Sequence, residues 1–323
     1  MRIAIYVGGL LGLILLIALM VSADLGAMLQ TLAMGGWRLL GLIPYRLVFF
    51  VLYAVGWFAL LQPYDPGRHA TLGYVLWVTM VREAIDRLLP VASVGGGVAG
   101  VRLLRWRGLT TAAASATIVV EILLTLIVLY LFAALGLFLL FDVGHASDYR
   151  HLLLPLLLGL LIPGVTAVLL RYGSVFARLE GFLRPMVGQS ALSEGAAALD
   201  RELRACLRRG RPLLIAGTLQ LVAMVSGAFE IWFALRLFGH PVSITVAVIL
   251  ESMTQAMRHL AFVIPAGLGV QEAGLVLFGH TFGISSELAL AVSMTKRLRE
   301  VICGLPALVS WQWLEGRRLR TAP

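Results

Sequence analysis

Long apolar blocks dominate this chain, at about 3–23, 39–61, 110–141, 152–170, 212–237 and 286–313. Crossing a hydrocarbon layer of ~30 Å takes roughly 20 helical residues, so the pattern predicts six membrane-spanning helices. Two further apolar segments, about 72–89 and 243–264, behave differently. The first runs into Pro90 and then Gly95, Gly96 and Gly97; the second runs into Pro265 and then Gly267 and Gly269. Proline removes a backbone donor and disfavours helix in the preceding residue, and glycine opens backbone angles that other residues resist. Facing lipid, the freed N–H and C=O groups would each cost several kcal/mol, so such backbone is tolerated only inside protein or along a wet cavity. The pattern therefore predicts two re-entrant helical hairpins that line a polar route. Two ordinary proline kinks packed between helices are the other reading.

The blocks repeat at an offset of 175 residues without a gap. Trp57-Phe58-Ala59-Leu60 recurs as Trp232-Phe233-Ala234-Leu235, Pro90 as Pro265, Gly108 as Gly283, and Thr110-Thr111 as Ser285-Ser286. Internal repeats in membrane proteins mark transporter architectures whose site lies near the midplane between related halves. Three full crossings separate Pro90 from Pro265, an odd number, so the second copy is predicted to be inverted. The expected fold is an all-α polytopic membrane protein with an inverted-topology repeat. Residues 1–141 form the first copy, and 142–323 form the second with a connector at 171–211. The connector reads as an amphipathic helix at the membrane surface, with Val175, Phe176, Leu179, Phe182, Leu183 and Met186 as its apolar stripe, followed by a second helix at about 191–209.

Composition fits this picture, with 60% apolar residues, 13% charged residues and mean hydropathy +0.93. The first block carries a single basic residue, Arg2, and no clear cleavage site follows it, so it reads as a retained helix. The net charge of +9 is concentrated at 102–107, at 171–211 and at the C-terminus. By the positive-inside rule these regions, and both termini, are cytoplasmic in a cell inner membrane. The basic excess then reflects topology and anionic-lipid contact, and nucleic acid is not an expected partner.

Charges inside the apolar segments supply the candidate chemistry, because ionisable groups at membrane depth usually face a cavity or a partner. Segment 72–89 carries Arg82, Glu83, Asp86 and Arg87, spaced as the i,i+4 pairs Arg82–Asp86 and Glu83–Arg87. Glu121 and Glu230 lie in full spans, and Glu251 and Arg258 share a helical face before Pro265. Lys296, Arg297, Arg299 and Glu300 interrupt the last span and leave it two positive charges in excess, which would suit a phosphate-bearing headgroup. Snorkelling and structural ion pairs are the plain alternatives. Glu272 stands seven residues after Pro265 at the start of a new helix, where the dipole alone favours a carboxylate; it could also carry a proton or pair with Arg258. Its counterpart in the first copy is Gly97. No catalytic nucleophile–base pair, cofactor motif or nucleotide-binding GxxxxGK[ST] loop is present, which argues against an enzyme and against ATP driving. His145, Asp148 and His151 match no usual zinc spacing, so no metal is expected; Cys206 and Cys303 suggest no disulfide framework.

The stretch Arg87-Leu-Leu-Pro-Val-Ala-Ser-Val-Gly-Gly-Gly97, followed by Arg102, Gly108 and Glu121, together with Pro265-Ala-Gly-Leu-Gly-Val-Gln-Glu272-Ala, resembles the membrane region of lysylphosphatidylglycerol synthases and their flippase-like relatives. Among these it looks most similar to membrane proteins associated with hopanoid biosynthesis. The resemblance implies a lipid-translocating membrane domain with re-entrant helices. Relatives commonly carry an acid at the position of Gly97 and an arginine at that of Ile122, and both differ here. The expected activity is movement of a lipid or lipid-linked molecule between leaflets, with membrane lipids, and lipid-biosynthesis enzymes at the cytoplasmic face, as partners. A non-transporting scaffold or accessory subunit of a lipid-modifying enzyme is the alternative.

Overall fold

The computed structural model describes residues 10, 13–19, 21, 25–89, 95–145, 150–173, 175–176, 191–261 and 264–321, and every regular element among them is helical. Among the described residues, the α-helices with defined bounds are α1 (Leu25–Gly35), α2 (Leu42–Leu61), α3 (Leu72–Leu88), α4 (Gly95–Arg105), α5 (Thr111–Leu140), α6 (Leu153–Tyr172), α7 (Ala191–Arg208), α8 (Gly210–Leu237), α9 (Ile244–Leu260), α10 (Val270–His280) and α11 (Ser286–Thr321). Most of the first apolar block, Leu179, Phe182, Leu183 and Met186 of the connector stripe, and Pro90 lie outside the described residues.

Among the described residues, four stretches are long and apolar enough to cross a membrane: Gly26–Tyr64, Thr111–Val143, Leu153–Tyr172 and Gly210–Leu237. The first of these joins α1, a 3-10 segment at Gly36–Gly41 and α2, so helix occupies residues that the apolar pattern leaves as a link between spans. Helix α11 has 36 residues, about 54 Å at 1.5 Å per residue, and so is long enough to cross. It fails on composition because of Lys296, Arg297, Arg299 and Glu300, and three of these four are almost wholly buried rather than turned to lipid.

Helix boundaries follow local chemistry. The Thr71, Thr110, Ser243 and Ser285 hydroxyls each accept the backbone N–H three residues on, closing N-termini of α3, α5, α9 and α11. Gly108 and Gly283 supply the left-handed turns before α5 and α11, with φ of 84° and 71°. Helix α10 starts and ends 175 residues after α4, and α11 starts 175 residues after α5.

Small residues permit close helix approaches, as expected where packing rather than hydrophobic exclusion joins helices. A Cβ on Gly56 of α2 would lie 3.2 Å from the Ala216 Cα of α8, and one on Gly136 of α5 would lie 1.7 Å from Ser252 Oγ of α9. Gly304 of α11 abuts Leu88 of α3 in the same way, and Gly159 of α6 fits against the Tyr130 ring of α5. The remaining surface of α6 is apolar and open, with Leu154, Leu157, Leu161 and Ile162 all exposed. Such a face suits lipid chains.

Candidate functional site

Helices α2, α3, α5, α8, α9 and α11, together with the break at Ile264–Gly267, line a partly open cavity of about 310 Å³. It draws on both copies of the repeat. Its charged lining comprises six cations, Arg46, Arg82, Arg87, Arg258, Lys296 and Arg299, and six acids, Glu83, Asp86, Glu121, Glu230, Glu251 and Glu300. Facing them, Ile122, Leu126, Leu129 and Phe132 form an apolar strip down one side of α5, and Phe49 and Phe50 of α2 add aromatic surface. The cavity is thus amphiphilic, with charges balanced over its lining.

Pairing differs from the spacing rule. Glu83 and Arg87 do meet, at 2.9 Å, but Arg82 reaches across to Glu121 of α5 at 2.6 Å. Its guanidinium also lies 4.5 Å from the Trp57 ring centre. Asp86 accepts the Gly96 N–H at 2.9 Å instead, holding the start of α4. Gly96 packs so closely there that a Cβ would fall 2.5 Å from the Arg82 carbonyl oxygen, and Gly100 lies against the Arg82 side chain; Gly97 has more room. Gly95 is the first residue of α4.

The apparent excess of two cations on α11 is compensated from three other helices. Lys296 meets Glu251 of α9 at 2.5 Å, Arg297 meets Glu272 of α10 at 3.2 Å, and Arg299 meets Glu230 of α8 at 2.5 Å. Glu251 and Arg258 therefore do not pair with each other. Arg258 donates to Gln271 Oε1 at 3.0 Å and approaches Glu300 at 3.5 Å.

The second break shows how irregular backbone is satisfied beside the cavity. Ala266, Gly267 and Gly269 have φ of 55°, 60° and 74°. A left-handed alanine costs roughly 1–2 kcal/mol. Its carbonyl accepts from both Arg258 and Arg297, at 3.1 and 2.9 Å, and the Gly267 carbonyl accepts from Arg297 at 3.1 Å. A Cβ on Gly267 would fall 2.6 Å from the Arg258 side chain, so glycine is required twice over. Pro265 is buried at the start of this turn.

Glu272 has no exposed surface and is not among the residues lining the cavity. It sits in the first turn of α10, accepts from Ser293 at 2.8 Å and holds Arg297. Arg297 likewise stands behind the lining, gripping the break. The pairing of Glu272 with Arg258 allowed by the sequence is replaced by pairing with Arg297, because Gln271 and Glu300 occupy the Arg258 guanidinium.

Sequence reasoning passes over Arg46, a single charge in an apolar span, yet it is 8% exposed and donates to Glu83 at 2.9 Å. The rule that singles out Glu121 applies to it equally. Gln271 and Ser293, which tie Arg258 to Glu272, carry no charge signal at all. Among the described residues, no group of three or more His, Cys, Asp and Glu side chains could hold a metal ion.

The family described as lysylphosphatidylglycerol synthase TM region matches residues 5–307. A search of the curated proteins and one of the solved structures returned no match. The family match spans nearly the whole chain, including every helix that lines the cavity, and the chain belongs to the lysylphosphatidylglycerol synthase transmembrane-region family, a family of membrane proteins connected with lipid handling.

Proposed function

We propose that the protein is a flippase-like transporter that moves a lipid or lipid-linked molecule between leaflets of a cell inner membrane. One observation carries this reading: the cavity sets a charged surface built by both repeat copies against the apolar strip of α5. A headgroup and a chain have opposite solvation needs, and a single cavity that meets both suits an amphiphile. Hopanoid- and isoprenoid-related lipids are the first cargo candidates, on the strength of the sequence resemblance. Translocation involves no bond chemistry, in keeping with a site whose charged groups, Asp86 apart, are engaged in ion pairs. Lipid-biosynthesis enzymes at the cytoplasmic face are the proposed suppliers or acceptors of cargo.

Native mass spectrometry of the purified protein should find one class of lipid retained at about one per chain. A protein that carries no retained lipid, or a random sample of bulk lipid, would favour a scaffold instead.

The membrane arrangement we infer has six crossings and two re-entrant hairpins, with both termini cytoplasmic. Helices α4 and α10 have 11 residues each, about 16 Å, or half of the ~30 Å a crossing needs. The buried Cys206 and Cys303 would first be replaced. Single cysteines placed at 180–205 or at the C-terminus should then react with an impermeant thiol reagent only after the cytoplasmic face is opened, whereas one at 145 should react from outside. A cytoplasmic 145 would contradict the inverted arrangement.

A further inference from the structure

Glu300 is held unlike any other acid in the cavity. Four guanidiniums surround its carboxylate, those of Arg258, Arg297, Arg87 and Arg299, at 3.5, 3.6, 3.8 and 3.9 Å. None is a close contact, since charge-assisted N–H···O bonds run about 2.7–2.9 Å. By contrast Glu83, Glu121, Glu230 and Glu251 each have a cationic partner at 2.9 Å or less.

The four arginines do not need Glu300 to hold their places. Arg87 donates to Glu83, Arg299 to Glu230, Arg258 to Gln271 and the Ala266 carbonyl, and Arg297 to Glu272 and the break. The ring is preorganised from outside, and Glu300 occupies its middle loosely. The connected network joins these four arginines and Arg46 to four glutamates, Glu83, Glu230, Glu272 and Glu300, and Asp86, which acts on Arg87 without a salt bridge, supplies the fifth negative charge. Arg299 is 5% exposed, and its Nε is buried without a partner. Three of the four arginines, and Glu300 itself, line the cavity.

We propose that Arg87, Arg258 and Arg299 form a binding site for a phosphate group, and that the Glu300 carboxylate is a resident anion which fills the site when no ligand is bound. The inference rests on reading the cavity as the cargo route, and it narrows the cargo to a phosphate-bearing amphiphile. Guanidinium groups match phosphate oxygens through paired N–H donors, which an ammonium cannot do. An incoming phosphate would displace Glu300 toward the cavity water, and the ring would keep its charge compensated in both states.

The test is binding by purified protein, wild type against Glu300→Gln, with three probes: phosphatidic acid, diacylglycerol with the same chains, and inorganic phosphate. Removing the competing carboxylate should tighten phosphatidic acid by about tenfold or more, the scale of one charge-assisted hydrogen bond, and leave diacylglycerol unchanged. Arg87→Gln should weaken phosphatidic acid by a similar factor. Inorganic phosphate binding as tightly as phosphatidic acid would identify free phosphate as the ligand, and much weaker binding would identify a lipid headgroup. If Glu300→Gln folds only when phosphatidic acid or phosphate is supplied, the site is supported. Should Glu300→Gln bind neither phosphate probe better than wild type, or Arg87→Gln leave phosphatidic acid binding intact, the site is overturned. Because the readout is binding, a protein that binds phosphate but moves no lipid would sink the transport reading and leave this one standing.

Discussion

Glu272→Ala should lower the stability of the protein by about 3 kcal/mol, at the lower end of the range for breaking a buried ion pair. The carboxylate is fully enclosed, and its removal leaves the Ser293 hydroxyl and the Arg297 guanidinium without their shared acceptor. Arg297 keeps the Ala266 and Gly267 carbonyls and the more distant Glu300, which is why the loss should not reach the top of that range. Glu272→Gln should cost less, because an amide oxygen can still accept from Ser293. The thermal unfolding midpoint in detergent, compared across the three proteins, checks the order. An alanine variant as stable as wild type but inactive would return Glu272 to a direct role in transport.

The second large effect concerns the apolar side of the cavity. Ile122 is 40% exposed and Leu126 half-buried, so both can be enlarged with little disturbance of the core. The double variant Ile122→Trp/Leu126→Trp would take up a substantial part of a cavity of about 310 Å³. Lipid movement per protein should fall about tenfold or more, a barrier increase of roughly 1.4 kcal/mol. Stability should stay within about 0.5 kcal/mol of wild type, as for substitutions outside a packed core. Unchanged lipid movement in a folded double variant would place the route elsewhere.

The membrane class and the helical fold were legible because each depends on local pattern. Apolar blocks of spanning length act within a few residues of where they stand; the hydroxyl caps at Thr110 and Ser285 and the turn glycines Gly108 and Gly283 are equally local, though the sequence showed them only as matched repeat positions. Most of the cavity charges, Arg46 apart, were legible for a similar reason: an ionisable residue in an apolar run needs an explanation wherever it occurs. Partner choice was not. Arg82 and Asp86 share a helical face, yet α5 brings Glu121 to Arg82 from 39 residues away, and α4 brings its first amides to Asp86. The charge balance of α11 was equally hidden, since Glu230, Glu251 and Glu272 arrive from three separate helices. Burial of Glu272 depends on Ser293 and Arg297, which nothing in its own neighbourhood announces.

The most direct test of the account is lipid movement by the isolated chain in sealed liposomes without nucleotide. A trace of headgroup-labelled lipid, placed in both leaflets, would be exposed to an impermeant quencher from outside. In protein-free vesicles only the outer-leaflet fraction should be lost quickly. With the wild-type protein the account predicts loss of nearly the whole label at a rate set by protein density, and return to the protein-free behaviour with Ile122→Trp/Leu126→Trp. Vesicles containing folded wild-type protein that quench no further than protein-free ones, across hopanoid-, isoprenoid- and phosphate-bearing probes, would contradict it.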